Sequence, residues 1–419
     1  MKILLATYWA IPHVGGVWNY MEQQKRELEK LGHEVDILGF NEDSSAVYIM
    51  NKNKVIEKEK IMPLLEGKLT EEAYPEIHTN ALVKYTEFQR YCFELSAAYL
   101  GLDEYDVIHT QDVLAAASIV RVLPENTALV ATLHGSVAHE IRHQLNGIHK
   151  SPTGYMARAY YDDLESTGAK APAYTIVANE WLKNILTEEF DVPSEQIKVL
   201  HYGFDTDTFL EETTKENTSL LIPENKTIIT YTGRLIEMKG VHHLIAALGK
   251  LKEDREDWVC WIIGEGESQK ELEKQVKELG IEDDVFFFGN RKDVPYLVAK
   301  SDIYVFPSLL ENQPLSLVEA QIAGKPTIVS DAGGLPEMVK DGVTGLIYPA
   351  GDVQALYDRL KLLLESPEFQ KIIGNNAQVW GLDHWSLSKG VQSILEVYEL
   401  AIAKGRKEVI EDVSVETDS

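Results

Sequence analysis

Arg234 and Lys239 follow an apolar run, Ile228 to Thr232, in the stretch Gly233-Arg234-Leu235-Ile236-Glu237-Met238-Lys239-Gly240. Arginine offers a planar fork of donors and lysine a mobile point charge, a pairing suited to neutralising a departing diphosphate without a metal. Two solvated surface cations are the plain alternative, and their place at a strand's carboxyl end between glycines favours the first reading. Further on comes Pro307-Ser308-Leu309-Leu310-Glu311-Asn312-Gln313-Pro314-Leu315-Ser316-Leu317-Val318-Glu319-Ala320. Pro314 suits the first turn of a helix, which leaves Glu311 in the loop ahead and Glu319 about one and a half turns inside. Two carboxylates so spaced can face one cleft, the loop glutamate toward a sugar and the helical one toward vicinal ribose hydroxyls. The N–H groups of Leu315 and Ser316 at the helix start can receive a phosphate. Taken singly, either glutamate reads as an ordinary exposed residue.

Other stretches imitate known chemistry. Gly15-Gly16 ahead of a helix starting near Trp18 lets backbone N–H groups approach an anion, although a tight turn without ligand explains a lone Gly-Gly equally well. Gly264-Glu265-Gly266 starts like a dinucleotide fingerprint, but Gln269 stands at its third glycine, so hydride transfer is not supported. His139-Glu140-Ile141-Arg142-His143 matches H-E-x-x-H, with His149 at the place of a third zinc ligand and Glu140 as general base. Against a zinc peptidase, Asn146 occupies the glycine position of that motif and Met156 lies too close for a Met-turn. A polar helix after His134 is the preferred reading. Asp205-Thr206-Asp207 resembles a metal-holding D-x-D, yet it sits at the domain junction and no metal is expected there. His242-His243 rides a helix with an apolar stripe of Leu244, Ile245 and Leu248, and Trp380 and Trp385 read as packing aromatics.

Short apolar runs alternate with segments of helical period, the pattern of parallel strands joined by crossover helices. The first half offers strands Lys2 to Thr7, Glu34 to Gly39, Val107 to Thr110, Ala128 to Leu133 and Tyr174 to Ala178. The second restarts the rhythm with Thr227 to Thr232, Trp258 to Ile263, Val285 to Phe288, Ile303 to Phe306 and Thr327 to Ser330. Two doubly wound α/β domains follow, 1–208 and 209–386, joined near the polar stretch from Glu211 to Ser219. Residues 51–80 read as an insertion. A last helix, 387–403, is expected to return to the first domain, and 404–419 to form a flexible acidic tail.

Composition sets outer limits. The 40 Lys and Arg stand against 67 Asp and Glu, a formal charge of −27, which opposes docking on nucleic acid or anionic lipid. With 44% hydrophobic residues and no run of about 20 apolar residues, disorder and a membrane span are excluded. The first residues lack the cleavage site of a signal peptide and read as a strand, with a cytoplasmic setting expected. Cys92 and Cys260 lie far apart and read as buried small hydrophobes.

Gly233-Arg234 with Lys239-Gly240, Pro307-Ser308, Glu311 with seven residues to Glu319, Ala323-Gly324-Lys325-Pro326 and Gly333-Gly334-Leu335-Pro336-Glu337 together resemble the family 4 glycosyltransferases of the GT-B fold. Through Gly15-Gly16 and His134 the resemblance reaches the first domain. It implies two Rossmann-like domains facing a cleft, with the acceptor on the first and the nucleotide on the second. It implies a retaining hexosyltransferase that takes a sugar from a nucleotide diphosphate, a uridine diphosphate sugar being the first expectation, with no metal. Arg234 and Lys239 would stabilise the leaving diphosphate, Glu311 would hold donor-sugar hydroxyls, Glu319 the ribose, and His134 the donor sugar. Gly15, Gly16, Gly264, Arg291, Asn312, Gln313, Pro314, Leu315 and Ser316 complete the donor-binding set, Gly16 through its backbone and Arg291 near the base. Many members have Phe-Gly where this chain has Gln313-Pro314, so donor preference does not carry over. A nucleotide-sugar epimerase of the same fold, or a binding module without catalysis, remains an alternative, and the acceptor stays open among glycan, lipid, small molecule and protein.

Overall fold

A computed structural model describes residues 1–12, 15–50, 52–147, 153–215 and 222–417. The chain divides into two units, Met1–His201 with Ser388–Ser419, and Tyr202–Leu387. The first holds an eight-stranded sheet of β1 (Lys2–Ala10), β2 (Glu34–Phe40), β3 (Ala46–Ile49), β4 (Lys54–Glu57), β5 (Val107–Thr110), β6 (Ala128–Leu133), β7 (Tyr174–Val177) and β8 (Ile197–Val199). Their order is β4-β3-β2-β1-β5-β6-β7-β8; β3 and β4 are antiparallel additions at one edge and the rest pair in parallel. Ile3, Leu4, Leu5 and Ala6 of β1 are fully buried, which is why the sequence there is continuously apolar rather than alternating.

The second unit is a six-stranded sheet in the order β11-β10-β9-β12-β13-β14, parallel throughout. Its strands are β9 (Thr227–Thr232), β10 (Trp258–Ile263), β11 (Val285–Gly289), β12 (Ile303–Phe306), β13 (Thr327–Ser330) and β14 (Leu346–Tyr348). From β9 the chain winds one way through β10 and β11, then starts again on the other side of β9 with β12. The carboxyl ends of β9 and β12 therefore flank the topological switch point, where such sheets hold ligands. In the first unit the equivalent place lies between β1 and β5.

All ten expected strands are present. The four unexpected ones, β3, β4, β8 and β14, are three or four residues long, too short for a period to register. Residues 51–80 contain β4 and the helices Lys58–Lys68 and Pro75–His78, whose buried residues are few because they lie at the sheet's edge. The unit boundary falls at Tyr202 rather than after 208. Phe204 and Phe209, with rings 5.6 Å apart, pack with Leu317 and Trp385, so the chain joins the second core before its polar stretch begins. The last helix runs Leu387–Thr417, well past 403, into the stretch read as a tail. No helix among the described residues is long and apolar enough to cross a membrane.

Candidate active site

The loops following β9 and β12 are stitched together. Leu309 N–H donates to the Met238 carbonyl at 2.8 Å, and Gly240, at φ 65°, comes so close to Pro307 that a Cβ would stand 1.9 Å from its carbonyl oxygen. Gly333, at φ 60°, makes the same approach to Glu311, where a Cβ would lie 1.9 Å from the carbonyl oxygen, and Gly334 N–H donates to that oxygen at 3.0 Å. Gly240, in the loop after β9, and Gly333, in the loop after β13, thus fix where Lys239 and Glu311 start. Across the switch point Lys239 Nζ meets Glu311 Oε2 at 2.5 Å. Ser308 Oγ adds a longer contact to the same oxygen at 3.4 Å, and Asn312 N–H donates to Oε1 at 3.2 Å.

Arg234 is exposed, with no carboxylate of the described residues paired to its guanidinium; its carbonyl accepts the Tyr231 hydroxyl at 2.9 Å. Burial pushes the Tyr231 phenol up, Glu311 pushes it further and Arg234 opposes, so both charges lie close to one ring.

The helix Leu315–Ile322 starts one residue later than expected: Pro314 is extended and caps it without a side-chain hydrogen bond. Leu315 and Ser316 thus stand at an open helix start. Glu319, half-buried one turn on, has its carboxyl pushed up to about 8, first by burial and then by Glu212. Beneath it Tyr304 hydrogen-bonds Thr232 Oγ1 and senses both Ser316 and Glu319.

Four residues of the expected donor-binding set have partners of their own within the second unit. Asn312 and Gln313 turn inward: Asn312 Nδ2 donates to the Tyr202 hydroxyl at 3.3 Å, and Tyr202 N–H donates to Gln313 Oε1 at 3.2 Å. Arg291 is held in two bonds by Asp293, at 2.8 and 2.7 Å, so that fork is engaged within its own turn. Gly264 follows β10, its N–H bonded to the Gly289 carbonyl at the end of β11 at 2.9 Å and its Cα packed against Gly233.

In the first unit, Gly15 and Gly16 open the helix Gly16–Lys30, which has no capping side chain and no acidic residue in its first turn. His134 follows β6. Its Nε2 faces Gln111 Oε1 at 3.1 Å, its ring meets Tyr20 edge-on at 5.2 Å, and burial takes its pKa down to about 3. Glu165, fully buried, accepts Ala138 N–H at 2.9 Å and so caps the helix Val137–Gly147 just beyond His134. A cavity of about 510 Å³ near the ends of β1 and β2 is lined by Ile11, Pro12, Asn41, Glu42, Asp43 and Tyr48.

The peptidase reading finds no geometry. His139 Nε2 pairs with Glu189 at 3.0 Å, Arg142 joins that glutamate at 2.6 Å, His143 is exposed, and His149 lies outside the described residues. Among the described residues no three ligating side chains gather. Asp205 caps the helix Thr206–Thr213 through Thr208 N–H at 3.2 Å, and the rings of His242 and His243 lie 3.9 Å apart. Trp385, fully buried, donates to Gln321 at 2.8 Å.

Sequence comparison agrees with this layout. The profile described as Glycosyltransferase Family 4 matches residues 14–208, and that described as Glycosyl transferases group 1 matches 212–380, so the two account for most of the chain. The chain is a family 4 glycosyltransferase of the GT-B fold. An MMP alpha-(1->4)-mannosyltransferase from Mycolicibacterium hassiacum is 26% identical to this glycosyltransferase, over 96% of this chain and 99% of the relative. Its fold is shared with Anabaena HepE, solved with UDP and glucose, at TM-score 0.68, 22% identity and coverage of 95% and 99%. It is shared also with the sucrose-phosphate synthase of Thermosynechococcus elongatus, at TM-score 0.72, 20% identity and coverage of 96% and 99%. This glycosyltransferase is a hexosyltransferase by its relatives.

The sequence reading missed Ser308, Tyr304, Gln111, Glu165 and Glu212. Ser308 and Gln111 follow β12 and β5, so their place beside a switch point was the available signal; nothing in the sequence marks Glu165 or Glu212, which act from other helices.

Proposed function

We propose that this glycosyltransferase moves a sugar from a nucleotide diphosphate, a uridine diphosphate sugar first among candidates, to an acceptor hydroxyl, with retention and without a metal. The observation that carries the reading is the Lys239–Glu311 pair at the β9/β12 switch point, with Arg234 exposed beside it and Glu319 on the helix that the same loop starts. The bond between the anomeric carbon and the diphosphate oxygen breaks. The acceptor oxygen bonds to that carbon from the same face, and its proton passes to the departing diphosphate. Arg234 and Lys239 neutralise the charge that grows on that leaving group, which is the main catalytic contribution. Glu311 and Glu319 accept hydroxyls of the sugar and the ribose. His134, neutral at physiological pH because its pKa is about 3, serves as a hydrogen-bonding group toward a sugar hydroxyl and not as a proton donor. The complexes of HepE with UDP and with UDP-glucose support the donor class.

The test is a thermal-shift panel of uridine, guanosine and adenosine diphosphates and their sugars, with and without chelator, on wild type and Glu319→Ala. One base that stabilises the wild type, indifferent to chelator and lost in the variant, is expected; a ligand at 100 times its Kd adds about 2.7 kcal/mol. Silence of every nucleotide overturns the reading. An NMR assignment of the product's anomeric configuration tests retention.

A further inference from the structure

Lys239 and Glu311 are each other's ligand. Their side chains are 19% and 12% exposed, so the pair is largely shielded from solvent and its rupture leaves two poorly solvated charges. A bare nucleoside diphosphate can satisfy only one of them. It takes Lys239 and leaves the Glu311 carboxylate with the Asn312 N–H at 3.2 Å and the distant Ser308 hydroxyl. A glycosylated donor satisfies both, because its diphosphate takes Lys239 while hydroxyls of the attached sugar donate to Glu311.

We propose that the Lys239–Glu311 ion pair is an internal competitor for the diphosphate, one that discriminates against the bare nucleotide in favour of the sugar-bearing donor and drives the spent nucleotide out once the sugar has left. This rests on the donor reading above and adds a requirement. The transferred sugar carries at least one free hydroxyl within reach of Glu311, since a carboxylate accepts and cannot donate. After transfer that hydroxyl is gone, the carboxylate is again without its donors, and it reclaims Lys239. The same carboxylate that holds the sugar therefore speeds product release.

The experiment is isothermal titration of wild type, Glu311→Gln and Glu311→Ala with uridine, guanosine and adenosine diphosphates and their glucose or mannose conjugates, with thermal unfolding as the check on folding. For whichever base binds, both variants are expected to bind the bare diphosphate at least tenfold more tightly than wild type does. Their preference for the sugar conjugate over the diphosphate falls by at least the same factor. Two different replacements guard against one that disturbs the loop, and Lys239→Ala, lacking the contested cation, is expected to bind the diphosphate at least tenfold more weakly than wild type does. If the diphosphate binds wild type and both Glu311 variants equally, or more weakly in the variants, the inference is overturned while the donor reading stands. If no diphosphate binds any of the four proteins, the donor reading falls and the inference with it.

Discussion

Glu319 predicts a proton-coupled donor site. Its carboxyl is pushed up to about 8, so about nine in ten molecules hold it protonated at pH 7 before the donor binds. Two vicinal ribose hydroxyls donate to a carboxylate, so binding favours the ionised form and expels the proton. The sign follows: binding is weakened wherever the free protein is protonated, that is, below about pH 8. Each unit below that value costs about 1.4 kcal/mol, so Kd for a sugar nucleotide is expected to fall about tenfold from pH 6 to 7, about fivefold from 7 to 8, and to level off above. A sugar nucleotide is the ligand to use, because its diphosphate diester stays fully ionised throughout this range. Titration calorimetry in two buffers of different ionisation heat should report release of about 0.9 proton at pH 7. Glu319→Gln should bind more weakly at pH 8 and show neither slope nor proton release. A wild-type Kd constant from pH 6 to 8, or a slope that survives in Glu319→Gln, refutes the assignment of this side chain to the ribose.

Lys239→Ala removes a donor aimed at the leaving group and is expected to cost about 3 to 4 kcal/mol of barrier, a loss of roughly 10² to 10³ in kcat, measured by coupled release of nucleoside diphosphate. Gly333→Ala places a methyl group 1.9 Å from the Glu311 carbonyl at a backbone angle that alanine avoids. Lower thermal stability and weakened donor binding together are the expected result, by about 1 to 3 kcal/mol, and an unchanged melting curve would contradict the packing. Glu165, whose carboxyl is pushed up to about 8 by burial, favours the folded state fully below pH 4.5 and loses that contribution as pH rises through 8. The stability of Glu165→Gln relative to wild type should therefore increase by about 3 kcal/mol between pH 5.5 and 8.5, read by denaturant unfolding at both values.

Much of this architecture is legible because buried parallel strands must be apolar on both faces. Lys2 to Thr7 and Trp258 to Ile263 declare themselves as unbroken hydrophobic runs, and in such sheets the loops after the strands are where ligands bind. Arg234, Lys239 and Glu311 could therefore be found as charged residues in those loops, and Glu319 from its spacing in the helix behind. What escaped notice depends on long-range contact. That Asn312 and Gln313 serve Tyr202, and that Glu319 faces Glu212, are consequences of packing that no local pattern encodes. The H-E-x-x-H stretch shows the converse. Its spacing is right, yet Glu189 and Asp162, distant in sequence, claim His139 and Arg142 for ion pairs.

Tyr398, fully buried on the last helix, hydrogen-bonds His109 Nδ1 at 2.7 Å and receives Gln24 Nε2 at 3.3 Å, while His109 Nε2 meets Thr132 Oγ1 at 2.7 Å. The core of the first unit is thus completed by a side chain translated after the whole of the second unit. During synthesis the whole stretch Tyr202–Leu387 is translated between His201 and Tyr398, a delay of roughly 10 to 40 s at usual elongation rates. For that interval His109 and Gln24 lack their partner, so the first unit, begun first, cannot complete its core until the second has been translated.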